Sequence, residues 1–246
     1  MIYIFDSDGA GGMGVSDLFR KAYGDDLFVR LYCPYPFPPF LEAELVYGMR
    51  TYYSKAKGLA SNIFLDSRLF HEIFPVSKTA IILRNPVSAS IRSYQAFLTT
   101  FAPTEWPDRS TAPAEYATLG AYLENVRGTD YLVRALACVP TGTPIDQGCL
   151  KSAIEALSDF DHHVIAEELQ LSMSTLLANY PEARCLFGSD QQGTLQSIGH
   201  HLSYDAMHVS TEDVRTALML NSYDIQLYEA ATKLAASRFL ENRQSC

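Results

Sequence analysis

The chain is poor in cysteine, with 5 in 246 residues, an odd number and no Cys-x-x-Cys pair. That excludes a thiolate zinc site or a disulfide scaffold as the organising principle. Free, mostly buried thiols are expected instead, with Cys138 and Cys149 as the pair able to close a loop under oxidising conditions. Positive charge is also scarce: 19 Lys and Arg stand against 28 Asp and Glu, a formal net charge of -9. A broad nucleic-acid footprint and a polybasic membrane surface both need clustered cations, so no nucleic-acid partner is expected and any anion must be held locally. No apolar run approaches the roughly 20 residues of a membrane span, and the opening run is too short for a signal-peptide core. The expectation is a cytoplasmic protein without a membrane span. Repeats and low-complexity tracts are lacking too. At 48% hydrophobic and 12% aromatic residues, the chain can bury enough apolar surface to offset its conformational entropy. One domain over residues 1–246 follows from that length.

What is present is an alternation of short apolar runs and amphipathic stretches. Ile2 to Asp6 suits a buried parallel strand, and Val15, Leu18, Phe19 and Ala22 recur at helical spacing after it. Further strands are expected at Leu27 to Leu31, Asn62 to Leu65, Thr79 to Leu83 and His163 to Ala166. Pro86 fits the first turn of a helix whose stripe is Ile91, Tyr94, Phe97 and Leu98. Beyond about residue 116 the chain reads as mostly helical, over Tyr116 to Ala137, Leu150 to Leu157, Glu168 to Asn179 and Leu218 to Leu240. The fold class is α/β: a parallel sheet flanked by helices, with a mostly helical C-terminal half.

Between the first strand and helix lies Asp8-Gly9-Ala10-Gly11-Gly12-Met13-Gly14. A glycine turn there lets backbone N–H groups and the positive helix end converge on a phosphate. Gly9, Gly11 and Gly14 also match Gly-x-Gly-x-x-Gly, the phosphate loop of NAD(P)-binding Rossmann oxidoreductases. That reading requires a ribose-binding carboxylate at the end of the second strand, where the sequence has Arg30-Leu31-Tyr32-Cys33. A Walker A loop requires Gly-Lys-Ser/Thr, where Gly12-Met13-Gly14 stands. The pairs His162-His163 and His200-His201 have no partners at metal-ligand spacing, and no metal is expected.

The more specific signal is Thr79-Ala80-Ile81-Ile82-Leu83-Arg84-Asn85-Pro86-Val87, followed by Ile91-Arg92-Ser93-Tyr94. An arginine at the C-terminal end of a buried strand points to the crevice where α/β sheets bind ligands, and the next helix presents its N-terminus there. On Arg84, Asn85, Pro86, Val87 and Tyr94 the chain resembles the PAPS-dependent sulfotransferases, in particular the carbohydrate branch with the heparan sulfate 2-O enzymes. Phe160-Asp161, Val164 to Glu167 with Ser172, and Asn221, Asp224, Leu227 and Tyr228 resemble later segments of that family.

The resemblance implies a P-loop-like sheet and transfer of a sulfuryl group from PAPS, leaving adenosine 3′,5′-bisphosphate, to a hydroxyl or amine of a small-molecule or carbohydrate acceptor. It assigns Gly9, Ala10, Gly11, Gly12, Met13 and Gly14 to the 5′-phosphosulfate. Arg84, with Arg92 or Ser93, takes the 3′-phosphate, and His71 or Asp66 takes the acceptor proton. The family's loop lysine falls on Gly9 and one family histidine near Leu65, with Lys55 or Lys57 as candidate replacements for the cation. A relative that binds nucleotide or sugar without turnover is the first alternative, and the oxidoreductase is the second.

Overall fold

The computed structural model describes residues 1–6, 12–31, 48, 51, 55–62, 64, 70–71, 74, 77–100, 116–140, 142–189, 191–192, 195 and 210–244. Five strands, β1 (Ile2–Asp6), β2 (Phe28–Leu31), β3 (Gly58–Ser61), β4 (Lys78–Leu83) and β5 (His162–Ile165), form one sheet in the order β2-β3-β1-β4-β5. Every pairing is parallel; Ile4, for example, sits between Ala60 of β3 and Ala80 of β4. All five residues of β1 are buried, as a central parallel strand covered on both faces requires.

Helices cover both faces. On one, α1 (Gly12–Tyr23), α6 (Leu169–Leu177) and α7 (Pro181–Ser189) bring Phe19, Met173, Leu176 and Phe187 onto Ile2, Ile4, Ile82 and Val164. On the other, α4 (Tyr131–Leu136), α5 (Gln147–Ser158) and α9 (Ser222–Gln244) pack Val133, Leu157 and Leu227 onto Tyr3, Phe5, Ile81 and Ile165. The alternation of Ile2, Tyr3, Ile4 and Phe5 between these two cores is the period of a strand. A smaller cluster joins α2 (Pro86–Thr100), α3 (Leu119–Tyr122) and α8 (Thr211–Leu220) through Leu119, Tyr122, Ala217 and the Ile91, Tyr94 and Phe97 stripe.

Several expectations are corrected. The third strand lies at Gly58–Ser61, not at Asn62 to Leu65. The helix expected over Tyr116 to Ala137 is three pieces: α3, a π-helical turn Leu123–Arg127, and α4 after Gly128, whose φ of 85° no helix continues through. The helix expected over Leu218 to Leu240 is divided at Asn221 into α8 and α9, and α7 begins at Pro181 where no helix was expected. Cys138 and Cys185 are exposed and Cys149 is half-buried, none of the three in a disulfide, against the expectation of mostly buried thiols. Cys33 and Cys246 lie outside the described residues.

Candidate functional site

The strand order creates a crevice. From β1 the chain crosses to β2 at the sheet edge, and from β4 it continues to β5 on the other side, so connections diverge between the adjacent C-terminal ends of β1 and β4. The glycines lie in sequence between β1 and α1, and Arg84 follows directly on β4. Residues 7–11, which include Gly9, Ala10 and Gly11, lie outside the described residues. On either side of them stand Asp6, fully buried at the end of β1, and the start of α1 at Gly12, Met13 and Gly14.

Local sequence builds the other wall. The Asn85 side chain accepts from the Val87 N–H at 3.0 Å and the Ser88 N–H at 3.4 Å, and its carbonyl accepts from Ala89 at 2.9 Å. Asn85 is therefore the N-cap of α2, and Pro86 occupies the first helical position, where its missing N–H costs nothing. Strand, arginine, cap and proline thus aim α2's N-terminus at the same end of the sheet as α1's.

Arg84 is only 7% exposed. Its guanidinium pKa is lowered to about 10, first by burial and then by the like charge of Arg92, against the attraction of Glu167 and Asp6. Burial and a like charge thus both disfavour the charged Arg84 guanidinium, an arrangement an anion would relieve. Glu167 stands at the rim, with one carboxylate oxygen accepting from the Asn85 N–H at 2.9 Å and the other from the Tyr228 hydroxyl at 2.8 Å. Burial, together with this carboxylate, pushes the Tyr228 phenol far above its ordinary range.

The remaining predicted residues do not all gather here. The Ser93 hydroxyl pairs with the Tyr122 hydroxyl at 2.8 Å, on the face of α2 that meets α3. The structure places His71 at the opposite end of the sheet. Its Nδ1 is 3.0 Å from the Ser77 hydroxyl and its Nε2 3.7 Å from the Asp161 carboxylate, both residues immediately preceding strands β4 and β5. Six residues of β4, about 20 Å at the strand rise, separate that end from Arg84. The proton-accepting role expected of His71 is withdrawn. The segment from β3 to β4 must return to the bottom of the sheet, so its last residues cannot stay at the top. Lys57, which directly precedes β3, is likewise at the bottom, with its ammonium over the Tyr23 ring at 5.3 Å from the centroid, and exposed Lys55 is two residues earlier. Asp66 lies outside the described residues.

Glu167 and Tyr228 were read only as points of family resemblance. Their meeting with Arg84 and Asn85 depends on β5 pairing with β4 and on α9 crossing the sheet, which no local pattern encodes. A cavity of about 340 Å³ lies at the edge of β5 between α6 and α9, lined by Asp161, His162, His163, Thr175, Asn179 and Arg238 among others, and is separate from the crevice. His163 and His162 serve the core. His163 Nε2 bonds the Leu157 carbonyl at 2.9 Å while Nδ1 faces Arg238 at 3.2 Å, and the His162 ring meets Tyr180 edge-on. His200 and His201 lie outside the described residues. Among the described residues no group of three or more His, Cys, Asp or Glu is arranged to hold a metal, and no helix is long and apolar enough to cross a membrane.

No protein-family model matches the chain, and no curated protein matches its sequence.

Proposed function

We propose that the chain is a sulfotransferase-type enzyme that binds a doubly phosphorylated adenosine, PAPS or its product adenosine 3′,5′-bisphosphate, in the crevice between β1 and β4. The observation that carries the reading is Arg84, buried at the C-terminal end of β4 directly before the N-terminus of α2, where the like charge of Arg92 also bears on it, beside the strand β1 that precedes the glycines. The strand order supports it further. A Rossmann dinucleotide site needs the end of β2 next to β1, to hold the ribose, whereas here β3 stands between them. The 3′-phosphate end is therefore well provided. At the other end the fit is poorer, because Gly9 supplies amides but no cation.

When bound, the donor supplies an activated sulfuryl group: an acceptor oxygen or nitrogen bonds to sulfur as the sulfur–oxygen bond to the 5′-phosphate breaks, and the acceptor proton passes to a base. The contribution of the chain is positioning and charge. Arg84 and the α2 N-terminus hold the fixed end of the nucleotide, and the start of α1, directly after the glycines, lies at the same end of the sheet as the oxygen that gains charge as the bond breaks. Loss of one such charge donor slows a transfer by about 10²- to 10³-fold, so the absence of a lysine at position 9 makes a slow enzyme. That absence, together with the location of His71, favours a second reading in which the crevice binds nucleotide without turnover.

Calorimetry with adenosine 3′,5′-bisphosphate and with NAD(P) separates the readings. We expect the bisphosphate to bind and Arg84→Ala to weaken it by about 30-fold or more, the consequence of leaving a buried phosphate without its partner. A preference for NAD(P), or bisphosphate binding indifferent to Arg84, refutes the assignment. Radiolabelled sulfate transfer to a panel of saccharides and small alcohols then distinguishes the enzyme from the silent binder.

A further inference from the structure

We infer that Glu167 is the resident counter-anion of the Arg84 crevice, a carboxylate that occupies the corner a phosphate would take and ties that corner to helix α9; this rests on the donor-binding reading above. The Asn85 amide belongs to the residue after Arg84 and precedes the first turn of α2, so it is among the donors an anion at this helix start would use. Glu167 already bonds it at 2.9 Å. The position of the carboxylate is fixed from behind: Ala166 is buried, and Ser172 of α6 accepts the Ile165 N–H at 3.0 Å, anchoring the turn Ala166–Glu168 to the end of β5. Glu167 itself is exposed, so it can leave without breaking the core.

Two consequences follow. An incoming phosphate meets the Glu167 carboxylate as well as the Arg84 guanidinium, so the resting crevice discriminates against weakly charged anions. Displacing Glu167 also breaks its 2.8 Å bond to Tyr228, so filling the crevice loosens a polar link to α9, the 23-residue helix at the end of the described chain.

The test is the affinity of the full chain for adenosine 3′,5′-bisphosphate, measured for four variants. Glu167→Gln keeps the shape and removes the charge, and should bind about tenfold more tightly, as expected when one like charge leaves an anion site. Glu167→Asp keeps the charge and should show no such gain, which separates a charge effect from a packing effect. Tyr228→Phe frees the carboxylate from α9 and should tighten binding about two- to threefold, the scale of one net hydrogen bond or less. Arg84→Ala reports on the parent reading. If wild type binds and Arg84→Ala destroys binding while Glu167→Gln binds no better than wild type, the counter-anion role is wrong and the nucleotide reading stands. Binding by Glu167→Gln alone would support the role in its strongest form, an autoinhibitory carboxylate. Binding by neither protein overturns both.

Discussion

Gly58 marks the tightest point of the sheet. A methyl group added to its α-carbon would lie 2.5 Å from Cδ2 of Phe28 and 3.1 Å from Cγ2 of Ile2, so β3 can approach its neighbours only because this residue has no side chain. Gly58→Ala should therefore destabilise the protein by about 1 to 3 kcal/mol, the ordinary penalty for overpacking a core. Chemical denaturation measures it, and adding Phe28→Leu should return most of the loss. A Gly58→Ala protein as stable as wild type would show that the two strands are not in this register. The same glycine explains why the third strand was sought at Asn62 to Leu65. The run Gly58-Leu59-Ala60-Ser61 has little of the branched, bulky character that signals a strand, and its fitness is a fit to Phe28 and Ile2, which are distant in sequence.

At the scale of elements, α4 and α9 cap each other. Asp224, in the first turn of α9, accepts the Leu132 and Val133 amides at 3.0 and 2.8 Å, and Asp130, the N-cap of α4, accepts the Tyr223 and Asp224 amides at 2.8 and 3.0 Å. Each helix start thus finds its missing acceptors in the other, and Asp130 adopts a φ of 47° to do it. Asp224→Asn leaves one of two buried amides facing an NH2 group, so a loss of about 1 to 3 kcal/mol in unfolding free energy at neutral pH is expected. A neutral outcome would mean that the capping bonds contribute nothing net. None of this was legible locally. Leu218 to Leu240 has one continuous helical pattern, and the division at Asn221 comes from that residue's buried amide bonding Ser90 at 3.1 Å and the Ala217 carbonyl at 2.8 Å. By contrast α2 was legible from its first residue, because Asn85 and Pro86 act on their own backbone.

The molecule as a whole was legible to the extent that it depends on alternating strands and helices, and illegible where function depends on the path of the chain. Arg84 could be placed because a strand carries it to a known end of the sheet. His71 could not, because its end depends on how far the chain has returned. The pH dependence of stability is a whole-molecule property for the same reason. His162 and His163 are buried in β5 at 8% and 6% exposure, and both pKa values are lowered to about 4, by burial first in each case. The positive charge of Arg238 lowers both further, while Asp161 partly offsets the shift at His162. The unfolded chain therefore binds more protons than the folded one between the ordinary histidine value and about 4, so these rings contribute stability above about pH 6.5 that is lost on acidification, up to about 3 kcal/mol each. Asp224 opposes the trend: burial raises its pKa to about 6, so the folded state gains a proton there as the pH falls and recovers part of the loss. Burial raises Asp130 in the same direction as Asp224, but the two rings carry the larger shifts, and urea unfolding should show the midpoint falling from about pH 6.5 to about pH 4.5. His162→Phe, which keeps the ring contact with Tyr180 and removes one titration, should flatten that slope by about half above about pH 6 and leave it nearly level below, where Asp224 offsets the remaining ring. A wild-type midpoint that is level or rises over this interval would mean that the β5 histidines are solvated, and with them the edge of the sheet that holds Glu167 against Asn85.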